Sequence, residues 1–159
     1  MARRIAPALL AVAIAFAAIG CGDDDEDPAS TSTSSELTKA QFIREANRIC
    51  KQQDGKIERA SQQFFADAPN DREPPPQEVA QFGKKTVFPA IQDEIDRIRA
   101  LGAPAGDTEE VQKMLEAAES GLQTLEAEPA QLERGAIASS FEEFQKLASA
   151  YGLDECAAG

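Results

Sequence analysis

Three cysteines, no histidine and a large excess of acid define the chemistry open to this chain of 159 residues, in which 16 Lys+Arg against 28 Asp+Glu leave a formal net charge of −12. Without histidine there is no Ser-His-Asp or Cys-His nucleophile pair and no His-containing zinc site. Nor is there a side chain that titrates near neutrality unaided. No Ser is followed three residues later by Lys, and neither a GxSxG elbow nor a Walker loop occurs. Carboxylates remain for acid–base work. The adjacent pairs Asp93-Glu94, Glu109-Glu110 and Glu142-Glu143 fall on polar helix faces, where burial is not expected to tune a pKa. The chain therefore reads as non-enzymatic, with no catalytic residue, no cofactor and no metal ligand. Asp23, Asp25 and Asp27 alternate as in a calcium loop, but Pro28 stands where an EF-hand needs its turn glycine, so a solvated spacer is expected there. The acid excess repels phosphate backbones, and no basic stripe with interleaved aromatics offsets it, which excludes nucleic-acid binding.

The elements that must position these groups begin at the amino terminus. Arg3 and Arg4 precede Ile5 to Ile19, an unbroken run of apolar residues, Ala and Pro. A membrane span needs about 20 such residues, so the layout is that of a secretory signal. The run ends Ala18-Ile19-Gly20-Cys21 and resembles the lipobox at which bacterial lipoproteins are diacylated and cleaved. The resemblance implies a signal peptide over 1–20, lipid on Cys21, and a protein held by that lipid on the outer face of the cytoplasmic membrane. The alternative is an ordinary secretory signal or uncleaved anchor with Cys21 incidental. Gly22, five acids from Asp23 to Asp27, Pro28 and the low-complexity run Ala29 to Ser35 cannot bury enough surface to offset their conformational entropy. Residues 21–37 are therefore expected to be a disordered tether with a root-mean-square span of about 20–24 Å.

From 38 to 159 the dominant signal is a 3.6-residue period. Thr38 and Gln41 form a capping box, and Phe42, Ala46, Ile49, Cys50, Ile57, Ala60 and Phe64 step along one face, giving a helix over 39–66. Residues 67–76, with four prolines, read as a loop. A second helix is expected over 77–101, with Val79, Phe82, Val87, Ile91, Ile95 and Ile98 inward and Asp93/Arg97 paired outside; Gly102 and Pro104 stop it. Asp107 and Glu110 suggest another capping box for a helix over 108–127, whose stripe is Val111, Met114, Leu115, Ala118, Leu122 and Leu125. Pro129 begins a short turn or helix to about Arg134. Ile137, Phe141, Phe144, Leu147, Ala148 and Tyr151 then line a last helix ended by Gly152. Four amphipathic helices must bury their stripes on one another, and a four-helix bundle-like, all-α domain is the simplest arrangement.

If Cys21 carries lipid, Cys50 and Cys156 remain in an exported domain, and a single disulfide accounts for both. The alternative is two unpaired thiols packed as small apolar residues. Phe42-Ile43, Ala46 and Ile49-Cys50 in the first helix, with Tyr151-Gly152-Leu153 and Cys156 at the end, resemble small, mostly uncharacterised helical lipoproteins of actinobacteria. That resemblance implies an anchored helical domain with a paired cysteine couple and brings no catalytic or ligand-binding residue.

Two irregularities stand outside the stripes. Pro89 after Phe88 deletes a backbone hydrogen bond, is expected to kink the second helix and free the Lys85 carbonyl, and serves packing more readily than a ligand pocket. Phe64 and Phe65 are consecutive, so one of them is expected to point away from the core. Phe64, Phe65, Phe88 and Pro89 are the candidate partner-binding residues. The expected function is a non-enzymatic binding module of the cell envelope, for an envelope protein or a small ligand. An anchored enzyme, or accessory subunit, using carboxylate chemistry is the alternative. Two buried carboxylates facing one cavity favour the enzyme, and a dry continuous core favours the binding module.

Overall fold

The computed structural model describes residues 37–68, 73–129, 132 and 137–158, and these contain helices and no strand. The expected signal peptide, Cys21 and the expected tether as far as residue 36 lie outside the described residues, as do parts of the proline loop and of the 129–134 segment. The elements are α1 (Lys39–Ala66), α2 (Pro76–Phe82), a π-helical turn (Gly83–Val87), α3 (Phe88–Ala100), α4 (Thr108–Ala127), α5 (Ile137–Ser140), α6 (Glu142–Tyr151) and α7 (Asp154–Ala157). The all-α, bundle-like class is therefore observed. Among the described residues no helix is long and apolar enough to cross a membrane.

Helix α1 begins at the Thr38/Gln41 capping box: the Gln41 amide donates to the Thr38 hydroxyl at 3.3 Å, and the Thr38 amide donates to the Gln41 side chain at 2.9 Å. Helix α2 starts one residue before the sequence suggests, because Pro76 occupies the first helical position, where its missing N–H costs nothing. The chain then runs on through Pro89 without a break. The Phe88 amide reaches back to the Gly83 carbonyl, and this π-turn sits immediately before the proline whose ring and missing N–H disturb the α ladder. The expected kink thus takes the form of a widened turn.

The last helix departs from expectation. The chain steps out of helical geometry at Phe141 (φ −106°, ψ 10°), splitting the segment into α5 and α6. Gly121 of α4 explains the break: a Cβ there would lie 2.7 Å from the Ser140 carbonyl oxygen and 2.8 Å from the Phe141 ring, so the two backbones approach through the glycine. Gly152 adopts the left-handed cap, with φ 97°. The residues after it, read from sequence only as a trailing end, form α7.

Helix α1 packs on α3 and α7, α3 on α4, and α4 on α5 and α6. The α4 stripe is buried as its period suggests, and Phe42, Ala46, Ile49 and Cys50 of α1 join it in one core. Among the described residues, Phe88, Leu153, Cys156 and the polar Gln53, which is 1% exposed, are core members off the expected stripes. The Gln53 amide nitrogen donates to the Ala90 carbonyl at 3.4 Å and to the Asp93 carboxylate, stitching α1 to α3.

Candidate functional site

Cys50 and Cys156 are bonded, with their Cα atoms 5.0 Å apart across 106 residues of sequence. Among the described residues, further ties join α1 to the carboxyl-terminal segment beside this bond. The Asn47 amide donates to the Gly152 carbonyl at 3.2 Å and its oxygen accepts from the Glu155 backbone at 2.9 Å, while Lys51 pairs with Glu155 at 3.1 Å. Leu153, fully buried, anchors the hook from inside.

A second junction joins α1, α4 and α6. The Tyr151 hydroxyl donates to the Asp107 carboxylate at 2.6 Å, Lys39 pairs with the same carboxylate at 3.1 Å, and the Lys39 ammonium lies 4.0 Å from the Tyr151 ring centroid. Asp107 is the N-cap residue of α4 but makes no side-chain cap bond. The capping box expected with Glu110 is not formed, because the tertiary donors claim the carboxylate. Those donors hold Asp107 below its ordinary pKa, whereas burial first, and the facing carboxylate second, push the Tyr151 phenol up.

The candidate site is a cavity of about 200 Å³ between the helices. Helix α1 contributes Asp54 and Ile57; α3 contributes Ile91, Glu94, Ile95 and Ile98; α4 contributes Leu115 and Ala118; Ile137, Phe141, Phe144 and Gln145 close the opposite wall, and Cys156 brings the disulfide to its edge. Burial, the negative charge of Asp54 and, in the opposite sense, Arg97 set the pKa of Glu94, which rises to about 7. Asp54 is raised as well, by burial and by Glu155. Neither carboxylate forms an ion pair or a side-chain hydrogen bond among the described residues; Arg97 instead pairs with Asp93 at 3.8 Å and donates to Gln52 at 3.2 Å.

This corrects the placement of the Asp93-Glu94 pair on a polar face. Asp93 is exposed, but Glu94 turns inward because it lies three residues after Ile91 and four before Ile98, on the buried side of α3. Asp54 lies likewise between Cys50 and Ile57 on α1. The spacing carried the signal, but adjacency to other acids drew attention away from it.

The four candidate partner-binding residues do not form one surface. Phe65 is 52% exposed. Phe64 is half-buried, stacked on Phe82 with centroids 4.5 Å apart, so the inward and outward rings divide as their spacing suggests. Phe88 is only 4% exposed, and this corrects its expected surface role: the widened turn rotates its ring into the core. Pro89 is exposed, on a shallow groove with Lys84, Gln92 and Glu126. No group of three or more Cys, Asp or Glu that could hold a metal ion occurs among the described residues. No protein-family model, no curated protein and no solved structure matches the chain.

Proposed function

We propose that the protein is an envelope lipoprotein, anchored through Cys21 to the outer face of the cytoplasmic membrane, whose helical domain holds a small ligand between its helices. The observation that supports binding is the cavity. Its walls come from helices distant in sequence, it is apolar apart from Asp54, Glu94 and Gln145, and the disulfide fixes its edge. Small-molecule sites share this make-up of apolar walls with few convergent polar groups. The Gly20-Cys21 lipobox supports the anchor, because two acyl chains hold a protein stably where one is marginal.

Cys21→Ser tests the anchor: release of the protein from the membrane fraction, or blocked processing, is expected, and unchanged retention with normal cleavage counts against it. For the cavity, benzyl alcohol in excess should raise the unfolding midpoint of the full chain and leave a cavity-filling Ala118→Leu variant unaffected. An equal response of the two proteins rejects the site.

A second reading, an anchored enzyme or accessory subunit using carboxylate chemistry, draws support from one observation. Asp54 and Glu94 face the same cavity with raised pKa values, and a Glu near 7 is suited to general acid–base work. Binding is preferred because both carboxylates are only half-buried, short of the two buried acids that favour an enzyme, and among the described residues neither forms a side-chain hydrogen bond that would orient it for proton transfer. The enzyme reading requires a turnover whose pH profile has a limb near 7 and which Glu94→Gln abolishes.

A further inference from the structure

The cavity's two acids are its most unusual feature: both are half-buried beside apolar walls, where like charges that form no ion pair among the described residues are costly. Asp54 approaches from α1 and Glu94 from α3, and the cation nearest Glu94, Arg97, is drawn outward to Asp93 and Gln52. The opposite wall carries Phe141 and Phe144, edge to face with centroids 6.3 Å apart. Acids on one side and aromatic rings on the other both attract positive charge.

Resting on the binding reading above, we propose that the cavity selects a small organic cation: an ammonium group held by Asp54 and Glu94, carried on a single ring-sized or short alkyl body that fills the space among Ile57, Ile95, Leu115 and Phe144. A metal ion is the poorer match. Hard divalent cations demand six or more oxygen ligands, and the remaining lining is apolar apart from Gln145. The volume sets the size. An apolar cavity of roughly 150 Å³ accommodates benzene, and drug-sized ligands occupy about 300–1,000 Å³, so about 200 Å³ takes one ring with a short arm.

The charge balance predicts a pH dependence. Holding a cation requires ionised carboxylates, and Glu94 is half-protonated near neutrality, so affinity should rise roughly tenfold between pH 6 and pH 8 as its proton leaves. The ionisable groups acting on the pair are Glu155 on Asp54, and Asp54 and Arg97 on Glu94. The lining residues of α4, α5 and α6 carry no ionisable group.

The experiment uses the full lipidated chain in lipid nanodiscs and three fluorinated probes of one shape, 4-fluorobenzylamine, 4-fluorobenzyl alcohol and 4-fluorobenzoate, followed by fluorine NMR line broadening. The amine should bind at least tenfold tighter than the alcohol, benzoate should not bind, and the preference should vanish in Asp54→Asn/Glu94→Gln, whose folding is checked by circular dichroism. Equal binding of amine and alcohol, or a preference that survives the double substitution, overturns the cation proposal while the cavity reading stands. Failure of all three probes to bind the folded protein overturns both.

Discussion

The hydroxyl of Tyr151 donates to the carboxylate of Asp107 across 2.6 Å, and so the last turn of α6 is fastened to the first residue before α4. The same carboxylate receives Lys39 from the start of α1, and one acid therefore holds three helix ends at one pole of the domain. Two to three turns further along, α1 is held to the carboxyl-terminal hook by the disulfide and Asn47. Cys156 of that second tie also lines the cavity.

Tyr151→Phe should lower the unfolding midpoint by a few degrees and leave the fold intact. The folded pKa of Asp107 is depressed, so its contribution is present above the ordinary Asp value and lost as pH falls through the lowered one. The variant should accordingly lose part of the steepness of acid unfolding below about pH 4. Identical acid limbs in wild type and variant, measured by circular dichroism, would show that the bond does not contribute.

Glu94 has the opposite sign. Its folded pKa is raised, to about 7 from 4.5, so the protonated form favours the fold: the contribution is complete below pH 4.5 and disappears as pH rises through 7. Between those limits the shift corresponds to about 3 kcal/mol, by the energy of one pKa unit. Glu94→Gln should be more stable than wild type at pH 8 and indistinguishable from it at pH 4.5. Urea melts at the two pH values check this.

Reduction of Cys50–Cys156, or its replacement by a pair of alanines, should cost on the order of 4–5 kcal/mol, because the bond closes a loop of 106 residues in the unfolded chain. The loss should be accompanied by faster amide exchange in α7, whose hold on α1 then rests on Asn47 and Lys51. Two titratable thiols in denatured protein purified from cells under thiol-trapping conditions would show that the bond is not made in the cell.

Two glycines inside helices should respond in opposite directions. Gly121→Ala pushes a methyl into the Ser140 carbonyl and the Phe141 ring and should destabilise by about 1–3 kcal/mol. Gly55→Ala meets only the flexible end of Arg59, at 3.3 Å, and should stabilise by about 0.5–1 kcal/mol. Thermal melts of the pair test whether the α4–α5 approach is as close as described.

Phe88→Ala removes a core ring and should cost roughly 3–5 kcal/mol, whereas Phe65→Ala should stay within about 0.5 kcal/mol of wild type. Of these two rings, Phe65 is then the one suited to probe a partner surface. A Phe65→Ala protein as unstable as Phe88→Ala would place both rings in the core.

What the sequence determined by itself is local. The period of Val111 to Leu125, the Thr38/Gln41 box and the left-handed Gly152 depend on residues within a few positions of one another, and the helices form where those signals lie. The pairing of Cys50 with Cys156 followed from counting, once Cys21 was assigned to lipid by its resemblance to a lipobox. Tertiary structure decided what depends on distant chain. Asp107 has the chemistry of a cap, but two donors from other helices outbid the local amides. Gly121 reads as a weak point in α4 until Phe141 is seen against it. Glu94 and Asp54 are ordinary members of an acidic sequence, and only the meeting of α1 with α3 half-buries them and turns them toward one cavity. Periodicity assigns a side chain to a face, and the energy of a charge on that face depends on what packs over it.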